Sequence, residues 1–341
     1  MTAPLAGANP WLRVSPCAPE ACVEPPVAAA GPLRRAVRLA AAAMVLLAGI
    51  PLSLAARGMR TARRGRIVNV WARMLLRALG VRLDVRSGFA FVAGSPLTRT
   101  GVGEPAGPED GAGPEERRGT LVVANHVSWL DPLVVAATVP SRPLAKREVG
   151  AWPVIRTLAA GSGALFIDRE RLSALPEVVG NITGALRAGD TVAAFPEGTT
   201  WCGRGMGEFR PAVFQAAIDA RAAVRPVTLR YREGEATSTR GCYVGDDSLL
   251  ASILRVVATR SLVVEVTRFP EVRLASSRTP SRTLSSTWSG MRHEERGALA
   301  RIAEAYVRTG LPEQHGAARR ETPARSARAG VTVLSSPLGS V

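Results

Sequence analysis

At 341 residues and 46% hydrophobic content, the chain can bury one sizeable domain core and carry appendages besides. Its formal net charge of +16, carried almost wholly by arginine with Lys146 as the only lysine, points to an anionic partner, either nucleic acid or an acidic membrane surface. Aromatic residues make up 5% and are not interleaved with basic ones as a stacking platform for single strands requires, which sets nucleic acid aside.

Residues 1–33 are rich in Pro, Ala and Gly without periodicity, which predicts a disordered tail. Leu39 to Ala56 then holds no charged residue, and its eighteen residues at helical rise span about 27 Å, close to the hydrocarbon thickness of a bilayer. Arg34, Arg35 and Arg38 precede it and Arg57, Arg60, Arg63, Arg64 and Arg66 follow, so the flanking charge does not orient it, and Pro51 kinks or ends a straight span. A membrane helix that crosses or only dips in, a cleaved signal peptide and a buried core helix compete for this stretch. The next segment favours the membrane. Ile67, Val70, Trp71, Met74, Leu75, Ala78 and Leu79 share one helical face, with Arg66, Asn69, Arg73 and Arg77 on the other, as in a helix lying among lipid headgroups. The same pattern also fits an amphipathic helix packed on a core. Residues 34–80 are thus expected to be membrane-anchoring helices.

Gly80 closes that helix; Val81 to Val85 alternates as a strand, and Phe89 to Val92 is a second candidate. Residues 101–118, rich in Gly, Pro and Glu, read as a flexible insertion. Leu121 to Ala124 is a short apolar strand, and Asp131-Pro132 opens a helix with a carboxylate at the N-cap and proline at the first helical position. Ala145 to Val149 suggests a turn, Trp152 to Ala159 a helix, and Ala164 to Ile167 a strand ending at Asp168-Arg169. Leu172 to Leu186 is helical, Thr191 to Phe195 a strand, Val213 to Ala220 a helix, and Val224 to Tyr231 and Leu262 to Phe269 the last strands. This alternation predicts an α/β fold over residues 81–275, a mostly parallel central sheet flanked by helices and preceded by the membrane-associated ones. Residues 276–341 are expected to hold one helix, around Arg292 to Val307, and a disordered tail.

The chemistry concentrates in Leu121 to Asp131, LVVANHVSWLD, at a strand-loop-helix junction of the kind where open α/β sheets bind ligands. An imidazole at the mouth of a sheet with a carboxylate five residues on can form a dyad in which Asp131 orients His126 and the free ring nitrogen accepts a proton from a hydroxyl. The plainer alternative is a helix cap beside an ordinary loop histidine. Against it, the chain has only three histidines, and His293 and His315 lie in the polar C-terminal region. Ser128 as a nucleophile with His126 as its base is a rival, but no G-x-S-x-G elbow surrounds it. The cysteines at 17, 22, 202 and 242 show no C-x-x-C pair and no zinc-ligand spacing with histidine, so they read as free thiols in a reducing compartment, with a Cys17–Cys22 disulfide as the alternative. No metal is expected.

These residues resemble the glycerolipid acyltransferase family, which includes the lysophosphatidate acyltransferases. The family's N-H-x-S-x-x-D is met by Asn125, His126, Ser128 and Asp131, and its G-x-x-F-I-D-R by Gly163, Phe166, Ile167, Asp168 and Arg169. F-P-E-G-T is met by Phe195 to Thr199, and a proline in an apolar strand by Val224, Pro226 and Val227. The resemblance covers roughly residues 82–232. It implies that His126 and Asp131 are catalytic, and that Asn125, Ser128, Lys146, Arg169, Glu197, Gly198 and Thr199 shape the acceptor site, with Lys146 and Arg169 binding phosphate. It further implies direct transfer from acyl-CoA or acyl carrier protein, as co-substrate with no other cofactor, to a lysophospholipid hydroxyl, at a cytoplasmic membrane with the site facing the cytoplasm. Members acting on lysophosphatidate usually carry arginine after F-P-E-G-T, where this chain has Thr200; members similar to lyso-ornithine lipid acyltransferases lack it. Lysophosphatidate is the first expected acceptor and lyso-ornithine lipid the second, while a membrane-surface binding protein with an inactive site is the rival of another class.

Overall fold

The computed structural model describes residues 15–89, 98–100, 118–146, 153–167, 171–274 and 285–312. In chain order the first elements are α1 (Pro19–Cys22), α2 (Pro32–Ala56), α3 (Thr61–Ala78), β1 (Val81–Ser87), β2 (Thr98–Thr100) and β3 (Thr120–Ala124). Next come α4 (Asp131–Thr138), β4 (Arg142–Lys146), α5 (Pro153–Ser162), β5 (Leu165–Ile167), α6 (Leu175–Arg187) and β6 (Val192–Ala194). The last are α7 (Ala212–Ala220), β7 (Ala223–Glu233), β8 (Ala236–Thr237), α8 (Leu249–Ala258), β9 (Leu262–Arg268), β10 (Val272–Leu274) and α9 (Ser285–Thr309).

The main path of the sheet runs β1-β9-β7-β3-β6-β4-β5 and is parallel except where β7 meets β9. β3 lies in the middle, with Thr120 to Ala124 paired to Ala223 to Val227 on one side and Leu121 to Val123 paired to Val192 to Ala194 on the other. Both faces of β3 are covered, which is why its sequence is continuously apolar and not alternating. Val122 and Ala124 enter the core beneath α3, α4 and α8, whereas Leu121 and Val123 enter a second core with α6, α7 and α9. The expected α/β architecture is therefore the observed one.

Several local expectations need correction. Part of the segment expected to be disordered is ordered: from Ser15 it crosses the domain, with the N–H of Glu24 on Thr239 Oγ1, the N–H of Val27 on Glu233 Oε2, and Ala29 bridging Thr259. Ala145 to Lys146 belongs to strand β4 and not to a turn; Pro143 and the flanking charges hide a strand pinned between β6 and β5. Helix α8 was not anticipated, although Ser248 caps it by accepting from the N–H of Ala251 at 3.1 Å and its apolar run is helical in length. The C-terminal helix is part of the domain core, burying Leu299, Ala300, Ala303, Tyr306 and Val307. Phe89 is not in a strand, while 90–92 and the expected insertion, except Arg118, lie outside the described residues.

The two N-terminal helices divide their side chains differently from the expected apolar and basic faces. Ala72, Leu75, Leu76 and Leu79 enter the core, leaving Val70 and Met74 exposed. Asn69 and Arg73, expected to face headgroups, donate instead to the carbonyls of Ala136 and Ala137, the orphan acceptors at the end of α4. Arg38 is likewise no flanking charge. It is buried, and its guanidinium donates to the carbonyls of Val257 at 2.8 Å, Thr259 at 2.7 Å and Arg260 at 3.0 Å, where α8 ends. The remaining surface of α2 is open, with Val37, Met44, Leu47 and Leu54 exposed, so it is not the buried core helix that its composition allowed.

Arg38→Ala would leave three carbonyls without their donor and release α2 from α8. We predict a loss of about 3 kcal/mol in unfolding free energy, read by denaturant titration in detergent. A change within about 0.5 kcal/mol, the scale of an idle surface substitution, would refute that role.

Candidate active site

β3 ends at Ala124, and the next six residues turn back before α4 begins at Asp131. What holds that turn is Asp131, whose side chain is fully buried. The expected N-cap is corrected here: Leu130 occupies the cap position, and the Asp131 carboxylate folds back over the loop. Its Oδ2 accepts from the N–H of Val127 at 2.6 Å, the N–H of Ser128 at 2.7 Å and His126 Nδ1 at 2.8 Å. Its Oδ1 accepts from the Tyr231 hydroxyl on β7 at 2.6 Å. Burial first, and the Asp131 charge second, push the Tyr231 hydroxyl well above the ordinary tyrosine range, so it remains a donor.

A carboxylate accepts only, so Nδ1 of His126 carries the hydrogen and Nε2 presents a lone pair. The ring stacks on Phe195 at 4.4 Å between centroids with 19° between planes, and 15% of the side chain remains exposed. Orientation by Asp131, a flat wall in Phe195 and a partly exposed ring are what a general base for a hydroxyl requires.

Glu197 holds the same loop from the other side. Its Oε1 accepts from the N–H of His126 at 2.6 Å and its Oε2 from the N–H of Gly207 at 2.7 Å. Burial raises its pKa from 4.5 to about 8, against the opposing pull of the two N–H donors. Asn125 is also inside, its amide donating to the Leu229 carbonyl at 2.9 Å and its oxygen accepting from the Leu229 N–H at 2.8 Å. Ser128 is fully buried, and its hydroxyl oxygen accepts from the N–H of Leu130. Asn125, Ser128 and Glu197, expected to shape the acceptor site, are each sealed from solvent and hold backbone in place.

The accessible part of the F-P-E-G-T turn is Gly198 and Thr199, both half-buried. Gly198 has φ +78°, a left-handed conformation that glycine adopts without strain, and the Arg210 guanidinium lies 3.8 Å from where a Cβ would stand. Thr200 donates its hydroxyl hydrogen to the Tyr243 carbonyl at 2.5 Å. Arg204, four residues beyond Thr200, pairs with Glu24. Lys146 ends β4 with Ile167 of β5 as its partner, whereas its side chain, Asp168 and Arg169 lie outside the described residues. Tyr231 was missed because a tyrosine in an apolar strand gives no sign of a carboxylate a hundred residues away.

The Glu197 geometry generates a pH test. A folded pKa raised from 4.5 to about 8 means that the folded chain keeps a proton that the unfolded chain has lost, so stability falls as pH rises through that window. Glu197→Gln cannot titrate there, and it turns an amide N–H₂ toward a backbone donor, costing about 1–3 kcal/mol. We predict a lower unfolding midpoint for the variant and a shallower decline across the window; equal slopes for the two proteins would refute the buried protonated carboxyl.

With this geometry in view, similarity to known proteins takes on structural meaning. A family model described as Acyltransferase matches residues 111–230, which hold His126, Asp131, Glu197 and all the central strands from β3 to most of β7. The chain is 36% identical over 165 residues to the 1-acyl-sn-glycerol-3-phosphate acyltransferase of Neisseria gonorrhoeae, across 48% of this chain and 62% of that protein. It is 35% identical over 150 residues to the lyso-ornithine lipid O-acyltransferase of Pseudomonas aeruginosa, across 43% of this chain and 56% of that protein. The match thus spans less than two thirds of either relative. With the lyso-ornithine lipid O-acyltransferase of Rhodobacter capsulatus the alignment is longer, 30% identity over 226 residues, across 63% of this chain and 72% of that protein. A likeness that reaches so far beyond the catalytic turn, joined to an intact histidine-aspartate pair, makes this chain a member of the glycerolipid acyltransferase family.

Proposed function

We propose that the chain transfers an acyl group from a thioester, acyl-CoA or acyl carrier protein, to the free hydroxyl of a lysophospholipid, as a 1-acylglycerol-3-phosphate O-acyltransferase. The observation that carries this reading is the Asp131–His126 contact at 2.8 Å beside a partly exposed ring. Nε2 takes the hydroxyl proton as the oxygen attacks the thioester carbonyl; the C–O bond forms, the C–S bond breaks, and the proton passes to the departing thiolate. No acyl-enzyme is required, and the burial of Ser128 supports direct transfer over a serine hydrolase mechanism. The dyad also argues against a binding protein with an inactive site.

The acceptor's phosphate would lie near the Gly198 turn, where Arg210 stands in for the arginine absent at Thr200, together with Lys146 and Arg169. A second reading, lyso-ornithine lipid as acceptor, is favoured by one observation: Thr200 is committed to the Tyr243 carbonyl. The open side of α2 and α3 forms a groove of about 710 Å³ lined by Met44, Leu52, Ile67, Val70 and Met74, with Arg63 and Arg66 among its walls. An apolar surface edged by arginine suits an anionic membrane surface on the cytoplasmic side. Arg38 fastens the first turns of α2 to the end of α8, which supports a helix that dips into the bilayer from the domain over one that crosses it.

We predict that His126→Ala lowers kcat by at least about a hundredfold without loss of folding, whereas Ser128→Ala retains substantial activity; an acyl group trapped on Ser128 would overturn direct transfer. With lysophosphatidate, Arg210→Ala, Lys146→Ala or Arg169→Ala should each remove about 1.5–3 kcal/mol, a ten- to more than hundredfold loss in kcat/KM. Lysophosphatidate and lyso-ornithine lipid should be offered side by side with one thioester donor. Turnover of the ornithine lipid alone would refute the first acceptor and leave the dyad mechanism standing.

A further inference from the structure

Dispersed in sequence, the cysteines converge in space. The Sγ atoms of Cys17, Cys22 and Cys202 all lie within 4.8 Å of one another. Cys17 and Cys202 are buried and Cys22 is half-buried; Cys242, fully buried, lies outside this group of three. Around a tetrahedral cation with Zn–S bonds of about 2.3 Å, neighbouring sulfurs stand about 3.8 Å apart, so the cluster needs only a small contraction.

A second observation concerns the backbone. Gly203 has φ +89°, and this left-handed turn directs the N–H of Arg204 back to the Cys202 sulfur. A side chain at position 203 would strain that turn. The Cys242 loop meets the Cys17 segment closely, since a Cβ on Gly245 would come within 3.2 Å of the Cys17 carbonyl oxygen. Arg255 donates to the Cys242 carbonyl at 2.7 Å, tying that loop to α8.

We propose that Cys17, Cys22 and Cys202, closed by Cys242, form a structural site for a thiophilic divalent cation of the zinc class. Thiolate sulfur selects such an ion over hard cations, and binding releases the thiol protons to solvent. The site fastens the N-terminal segment to the two loops that support the dyad. The N–H of Trp201, next to Cys202, donates to the His126 carbonyl at 2.8 Å, and the N–H of Tyr243, next to Cys242, donates to the Val127 carbonyl at 2.9 Å. The cation touches neither substrate nor His126 and acts only by positioning.

The full chain, purified in detergent under reducing, metal-free conditions, should be titrated with Co(II) as a spectroscopic probe. Expected are one cobalt per chain, a thiolate-to-cobalt charge-transfer band, visible bands of tetrahedral intensity, and displacement of cobalt by zinc. Cys22→Ser, the mildest change because that residue is half-buried, should weaken cobalt binding at least tenfold and blunt the charge-transfer band. Removing zinc from the loaded protein with a chelator should lower the unfolding midpoint by more than about 5 °C. Absence of a stoichiometric charge-transfer band in folded protein would overturn the proposal, as would a Cys17–Cys22 or Cys17–Cys202 disulfide in protein kept anaerobic throughout. An unaltered cobalt spectrum in Cys242→Ser would overturn the assignment of Cys242 as the fourth ligand.

Discussion

The Asp131 carboxylate is the constraint on which the site depends. A charge sealed from water is tolerated only when its oxygens are met by donors, and here four converge on it: two backbone N–H groups, the His126 ring and the Tyr231 hydroxyl. The two backbone donors impose the tight turn after β3. The third fixes the imidazole tautomer, and the fourth ties the turn to β7. Removing the carboxylate would therefore unmake the loop and release the His126 ring together.

Around this turn, other buried groups repeat the same device. Glu197 binds the His126 N–H to that of Gly207, and Asn125 bridges β3 to Leu229 on β7 through both atoms of its amide. These contacts make the end of β3 a rigid platform, with Phe195 as its wall, while Gly198 and Thr199 stay accessible at the rim. The division follows from the sheet: side chains that enter between strands and helices support, and those on the turn beyond the strand ends stay open to solvent.

Arginine serves two purposes that the net charge alone merges. Arg38 and Arg73 satisfy carbonyls at helix ends, Arg232 pairs with Asp84 and Glu265, and Arg142 pairs with Asp190. The planar guanidinium suits these tasks because its several donors can serve more than one acceptor at once. Arg63 and Arg66 stay exposed beside the open apolar surface of α2 and α3.

What the sequence determined by itself was local: the apolar run of β3, the alternation of strands and helices, the charge-free stretch of α2, and His126 and Asp131 five residues apart on one loop. Such features follow from periodicity, capping and short-range reach, all encoded within a few neighbouring residues. The tertiary structure decided what depends on distant partners. It brought Tyr231 to Asp131, turned Asn125, Ser128 and Glu197 inward, moved Arg38 and Arg73 from an expected membrane edge to helix ends, and gathered Cys17, Cys22 and Cys202. A side chain's composition is the same whether it faces lipid, substrate or a buried carbonyl. Which of these it meets is decided by packing, because each buried polar group must find a partner among whatever elements the fold places beside it.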